Sequence, residues 1–146
     1  MGLVILTAIE FFDRTPVDNI ISSLTTVPEK IIFLGDSKEM RKFESVHRSF
    51  LKKRNINIQL ESCPIRRNNL NDIVGKLSEI VETEDECVFD VTGGEDLALV
   101  AMGIVYQKYR DKNIQMQRLN IRNGVVSDCD NDGYVDNTMA PKLSVE

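Results

Sequence analysis

The stretch ECVFDVTGGEDLALVAMGIVY, residues 86–106, decides the fold. Its first seven residues, ECVFDVT (86–92), are an apolar run of strand length. A Thr92-Gly93-Gly94 turn follows, and a helical pattern from Asp96 to Arg110 begins at once. Strand, glycine turn and helix in that order are the parts of a βαβ unit. Two glycines let backbone approach a ligand with no Cβ in the way. The helix start adds free N–H groups and a partial positive charge. The Thr92 hydroxyl stands beside them, so the turn has the make-up of an anion site. Its next residues, Glu95 and Asp96, are acids. A plain tight turn, with those acids stabilising the helix dipole, fits the residues as well. The spacing is neither G-x-G-x-x-G nor a P-loop, so it specifies neither a dinucleotide nor a mononucleotide.

The same alternation runs back to the N-terminus. LVILTAI (3–9) and KIIFLGD (30–36) are apolar runs of strand length, and INIQLESC (56–63) alternates like a half-buried or edge strand. Between them lie TPVDNIISSLTTV, with Thr15 placed to cap a helix and Pro16 at its first position, and a charged helix from about Ser37 to Arg54. A further helix spans Asn68 to Val81. Short connections between alternating strands and helices imply parallel strands. Continuous apolar strands imply a sheet covered on both faces. The expected fold is α/β: a Rossmann-like, doubly wound, mainly parallel sheet.

Downstream the pattern changes. IQMQRLNIRNGVVSDCD alternates with period two around Asn123-Gly124, the dipeptide a type I′ turn prefers. A C-terminal antiparallel β-hairpin is therefore expected. The domain is read as residues 1–136, with 137–146 an irregular tail that begins a linker to a C-terminal effector domain outside this chain.

Composition narrows the function. The chain has 146 residues and a formal charge of −5, enough for one domain and wrong in sign for broad binding to nucleic acid or an acidic membrane. Its three cysteines, Cys63, Cys87 and Cys129, form no C-x-x-C pair and read as reduced thiols in a cytoplasmic protein. His47 is the sole histidine and reads as a surface residue of the second helix. No metal and no cofactor is expected. Asp128, Asp130, Asp132 and Gly133 open like a calcium loop, but the twelfth position is Met139 and no helix leads in. MGLVILTAIE lacks a charged n-region, no run is long enough to span a bilayer, and Leu6 stands where myristoylation needs Ser or Thr.

Ligands of open parallel sheets bind outside the carboxyl ends of the strands. On this reading the tips supply Thr7, Ala8, Glu10 and Phe11 after strand one, Asp36 and Ser37 after strand two, and Thr92 to Asp96 after strand four. Lys38, Arg66 and Arg67 stand close by as sources of positive charge or as solvated surface. Leu97 to Tyr106 carries no charged residue, and Ala98, Ala101 and Gly103 are small. A helix apolar all round must be covered, here by a second copy of the chain or by the C-terminal hairpin.

With FDVTGGEDLALVAMG after strand four and LTAIEFFDRTPVDNI after strand one, the chain resembles the CARF domains, the CRISPR-associated Rossmann folds. It is most similar to the sensor domain that precedes a PD-(D/E)xK nuclease. The resemblance covers most of the chain up to the hairpin. It implies a homodimer, formed here through Leu97–Tyr106, that binds a cyclic oligoadenylate across its two-fold axis in type III CRISPR antiviral defence. Cyclic tetra-adenylate is the ring it implies, controlling an effector nuclease domain outside this chain. It also implies that Thr7, Ala8, Glu10, Phe11, Asp36, Ser37, Thr92, Gly93 and Gly94 line the site. Many members follow T-G-G with Thr-Lys, whose lysine meets a phosphate. Glu95 and Asp96 replace that pair here, and as acceptors they suit adenine amino groups or ribose hydroxyls. No catalytic residue is expected, since no histidine falls at a strand tip and slow ring cleavage would rest on orientation alone. The alternatives are a stand-alone Rossmann-like mononucleotide-binding protein or small enzyme, and a dimerisation scaffold with a vestigial pocket.

Overall fold

The apolar runs fold as neighbouring parallel strands. The computed structural model describes residues 4–11, 20, 22–120, 125–129 and 134–135. Its elements are β1 (Leu6–Phe11), β2 (Lys30–Asp36), α1 (Met40–Lys53), β3 (Gln59–Ile65), α2 (Leu70–Thr83), β4 (Glu86–Asp90), α3 (Asp96–Lys108), β5 (Ile114–Asn120), β6 (Val125–Asp128) and β7 (Tyr134–Val135). One sheet joins the strands in the order β3-β2-β1-β4-β5-β6-β7. β1 pairs in parallel with β2 and β4, β2 with β3, and β4 with β5. β5–β6 and β6–β7 are antiparallel. Asn123-Gly124 falls between β5 and β6, outside the described residues, as do Thr15, Pro16, the 130–133 acidic turn and the tail from 136.

Position in the sheet explains each strand's composition. β1, β2 and β4 lie inside and are buried almost throughout. Among the described strands β3 pairs with β2 alone, and it largely alternates in burial. It also carries Pro64, which an edge strand tolerates because one side of its backbone needs no partner.

Both faces are covered. On one, Ile9, Ile32, Leu34 and Phe89 pack against Ile73 and Leu77 of α2 and Ala101, Met102 and Val105 of α3. On the other, Ala8 and Ile31 pack against Ile20, Leu24, and Phe50 and Leu51 of α1. Burying each large side chain contributes roughly 1.5–3 kcal/mol. Since side chains alternate along a strand, neighbours such as Ala8 and Ile9 serve opposite layers.

Element ends shift from expectation for identifiable reasons. β1 runs to Phe11, not Ile9, because Glu10 finds partners inside the fold. α1 starts at Met40, not Ser37: the Asp36 carboxylate accepts the Lys38 N–H at 2.9 Å and its carbonyl accepts the Glu39 N–H, closing a turn. α2 starts after Asn69, whose side chain accepts the Asp72 N–H and caps the helix. Among the described residues no helix is long and apolar enough to cross a membrane.

Candidate functional site

The strand order reverses at β1, so the helices that follow diverge and leave a crevice at the carboxyl ends. A cleft of about 660 Å³ opens there. Phe11, Leu34 and Ile65, at the ends of β1, β2 and β3, form its floor with Phe43 of α1, Ile73 of α2 and Ala98 of α3. Its rim is charged: Asp36, Glu39 and Lys42 on one side, Arg67 and Glu95 on the other. An apolar floor under a few polar groups suits a flat, largely apolar ring with polar edges.

The turn between β4 and α3 forms one wall. Gly94 has φ +109°, a conformation that strains any residue with a Cβ. A Cβ there would stand 3.2 Å from Phe11 Cβ and 3.4 Å from Ala98 Cβ. Glycine thus lets the turn lie directly on the β1 tip. Thr92 is held at both ends: its N–H donates to Asp90 Oδ1 at 2.8 Å, and its hydroxyl accepts the Leu119 N–H at 2.8 Å. The two acids are engaged within the protein. Asp96 accepts the Leu97 N–H at 2.8 Å, and Glu95 pairs with Arg67 on its own side of the cleft.

Beneath the turn, on the α1 side of the sheet, lies a buried polar cluster. Glu10 accepts from Ser23 and meets Nε2 of His47. His47 Nδ1 donates to the Phe43 carbonyl at 2.7 Å, and the ring stacks on Phe33. With Nδ1 committed as a donor, Nε2 must also carry its proton to face a carboxylate, so the imidazolium satisfies both contacts. Burial lowers the proton affinity of His47, but Glu10 and the Phe43 carbonyl outweigh it and leave its pKa above the ordinary value. Asp90, at the end of β4, is fully buried as well. Burial pushes its carboxyl up to about 7, with Ser22 and Thr92 pulling against the rise and Glu10 adding to it. Among the described residues its Oδ2 has no hydrogen-bond partner; the Ser22 hydroxyl lies near enough to act on its charge but outside bonding geometry.

The structure thus sorts the sequence-derived residues. Phe11, Asp36, Gly94 and Glu95 come together around the cleft. Ser37 is exposed beside Asp36, Asp96 is exposed beside Glu95, and Thr92 and Gly93 form the back of the turn. Thr7 lies elsewhere, at the amino ends of the strands opposite Lys30 and Cys87, and donates to Glu84 at 2.8 Å. Ala8 is wholly buried in the α1-side layer. Glu10 is 1% exposed and faces His47, so it meets no solvent at the tip. His47 is no surface residue either: it is fully buried on the face of α1 that carries Phe43 and Phe50. Sequence reasoning also passed over Asp90, Lys42 and Phe43. The signal for Phe43 and His47 was their spacing of four on one helix face.

No family model matches the chain, and no curated protein matches it in sequence. Solved structures do. Can2 from Sulfobacillus thermosulfidooxidans, solved in complex with cyclic tetra-adenylate, matches with a TM-score of 0.73 and 14% identity over 90% of this chain and 37% of its own. Protein VC1899 from Vibrio cholerae matches with a TM-score of 0.72 and 20% identity over 90% of this chain and 36% of its own. The chain spans little more than a third of the length of either. The likeness is one of fold: both structures share this Rossmann-like α/β sheet over 90% of the chain.

Proposed function

We propose that this chain is a sensor domain that binds a cyclic oligoadenylate, cyclic tetra-adenylate foremost, across a homodimer. The observation that carries the reading is the glycine turn set over an apolar-floored cleft at the strand ends. The likeness to Can2, whose structure contains that ring, supports the choice of ligand. On this reading an adenine enters each cleft over Phe11 and Phe43, and the ring's backbone passes the turn at Thr92–Asp96 and the β2 tip at Asp36 and Ser37.

The dimer has its own support. α3 buries Ala98, Ala101, Met102 and Val105 but leaves Leu99, Val100 and Ile104 40%, 49% and 42% exposed. Among the described residues a Cβ at Gly103, between them, would meet nothing within 4 Å, which leaves room for another backbone to approach. This helix begins at the cleft rim, so a copy packed on its exposed face brings a second cleft beside the first. One symmetric ring can then span both. Binding would bias the dimer and, through it, an effector region outside these 146 residues in cytoplasmic type III CRISPR defence.

A thermal-shift series tests the ligand class. A ligand that binds the native state alone raises the melting temperature, by several degrees near saturation. The expected result is a rise with cyclic tetra-adenylate and none with linear tetra-adenylate or ATP. A rise with ATP alone would replace the sensor with a mononucleotide-binding protein.

A further inference from the structure

The turn that should hold an anion carries two acids, and the structure gives each of them another occupation. Asp96 accepts the N–H of Leu97 in its own helix. Glu95 reaches Arg67, in the connection between β3 and α2. The guanidinium meets the carboxylate with both Nη2 and Nε, the latter 3.2 Å from Oε2. Both side chains line the cleft, and they are 45% and 44% exposed.

A two-pronged guanidinium fork fits a phosphate as well as it fits a carboxylate. An exposed pair of this kind is weak and opens readily. We infer that Arg67 is the phosphate-binding cation of this cleft and that Glu95 is its built-in competitor, which occupies the fork until a phosphodiester displaces it. The inference rests on the sensor reading for the identity of its natural ligand. It requires only a phosphate for its chemistry.

The device changes what the site selects. A ligand must present phosphate where Glu95 now sits and fill the apolar floor at the same time. A free anion wins only the first exchange and must expel a carboxylate to do so. A ring that places a base over Phe11 and Phe43 gains enough to hold the fork open. Glu95 therefore raises selectivity at the expense of affinity.

A plain structural tie between the two connections would behave differently. Cutting it from either end would loosen the cleft and weaken binding alike. A competitor and its target give opposite signs. The test titrates pyrophosphate and, separately, cyclic tetra-adenylate into the full chain and into Glu95→Gln, Arg67→Gln and the double variant. Circular dichroism and urea midpoints verify that all are folded. For Glu95→Gln, pyrophosphate and ring should bind about threefold to fivefold tighter, the scale of one exposed ion pair. For Arg67→Gln, both should bind about tenfold or more weaker, the scale of a lost charge-assisted fork. The double variant should match Arg67→Gln, because a competitor without its target has no effect. Weaker binding in Glu95→Gln, or unchanged binding in Arg67→Gln, would overturn the inference. If the pyrophosphate shifts appear and no chain binds the ring, the latch stands and the cyclic-oligoadenylate reading falls. If the ring binds all four chains equally, the reading stands and the latch falls. If nothing binds any chain, both fall.

Discussion

Gly94 lies against Phe11 so closely that a Cβ would come within 3.2 Å of the phenylalanine's own Cβ. The contact joins the β4–α3 turn to the tip of β1, and its backbone holds φ +109°. Gly94→Ala is expected to cost about 1–3 kcal/mol, because a side chain is strained there and the neighbour must yield. Urea denaturation measures the cost. Since Phe11 is part of the cleft floor, ring affinity should fall in the same variant. An unchanged urea midpoint would show that the turn relaxes without strain.

Glu10 and His47 form a buried pair with side chains 1% exposed each. Breaking such a pair from one end strands a charge, at about 3–5 kcal/mol. His47→Ala should show that loss at pH 6. The pKa of His47 is raised in the fold, so its contribution is full below its ordinary value and fades as pH rises through the folded one. The wild-type chain should thus lose stability to urea above neutral pH, and His47→Ala should lose less over the same range.

Asp90 shifts the balance at lower pH. Its carboxyl moves from 3.8 to about 7 on folding, so the unfolded chain gives up that proton first. Stability present below pH ~4 is then lost as pH rises through 7, by roughly 4 kcal/mol at most. Asp90→Asn cannot ionise and should flatten the urea midpoint between pH 4 and 7. Its side-chain oxygen can still accept the Thr92 N–H, so the turn should keep its shape.

Particular residues show what could be read in advance. KIIFLGD coincides with β2 because a strand inside the sheet is apolar throughout, and a run of that kind has visible ends. INIQLESC betrayed its edge position by alternation, though β3 sits nearer Ile65. The glycine turn was visible because positive φ demands glycine. Glu10 was misjudged because a charge at the end of an apolar run reads as the strand's exit. Its partner is a histidine 37 residues away, and a buried ion pair leaves no local trace in sequence. Thr7 followed from the same error, since β1 starts and ends later than the apolar run suggests. Arg67 was visible only as a nearby charge, because its pairing with Glu95 depends on how two connections meet in space.

The exposed face of α3 offers a test of assembly. Val100→Glu places a charge among Leu99, Val100 and Ile104 without touching the buried face of the helix. The wild-type chain should sediment as a dimer and this variant as a monomer with an unaltered urea midpoint at low protein concentration. A wild-type monomer at high concentration would remove the dimer from the account.

Calorimetric titration with cyclic tetra-adenylate tests the central claim most directly. The expected result is saturable heat at one ring per two chains, with none from linear tetra-adenylate. Heat at one ring per chain would contradict the shared site, and no heat from any cyclic oligoadenylate would contradict the sensor itself.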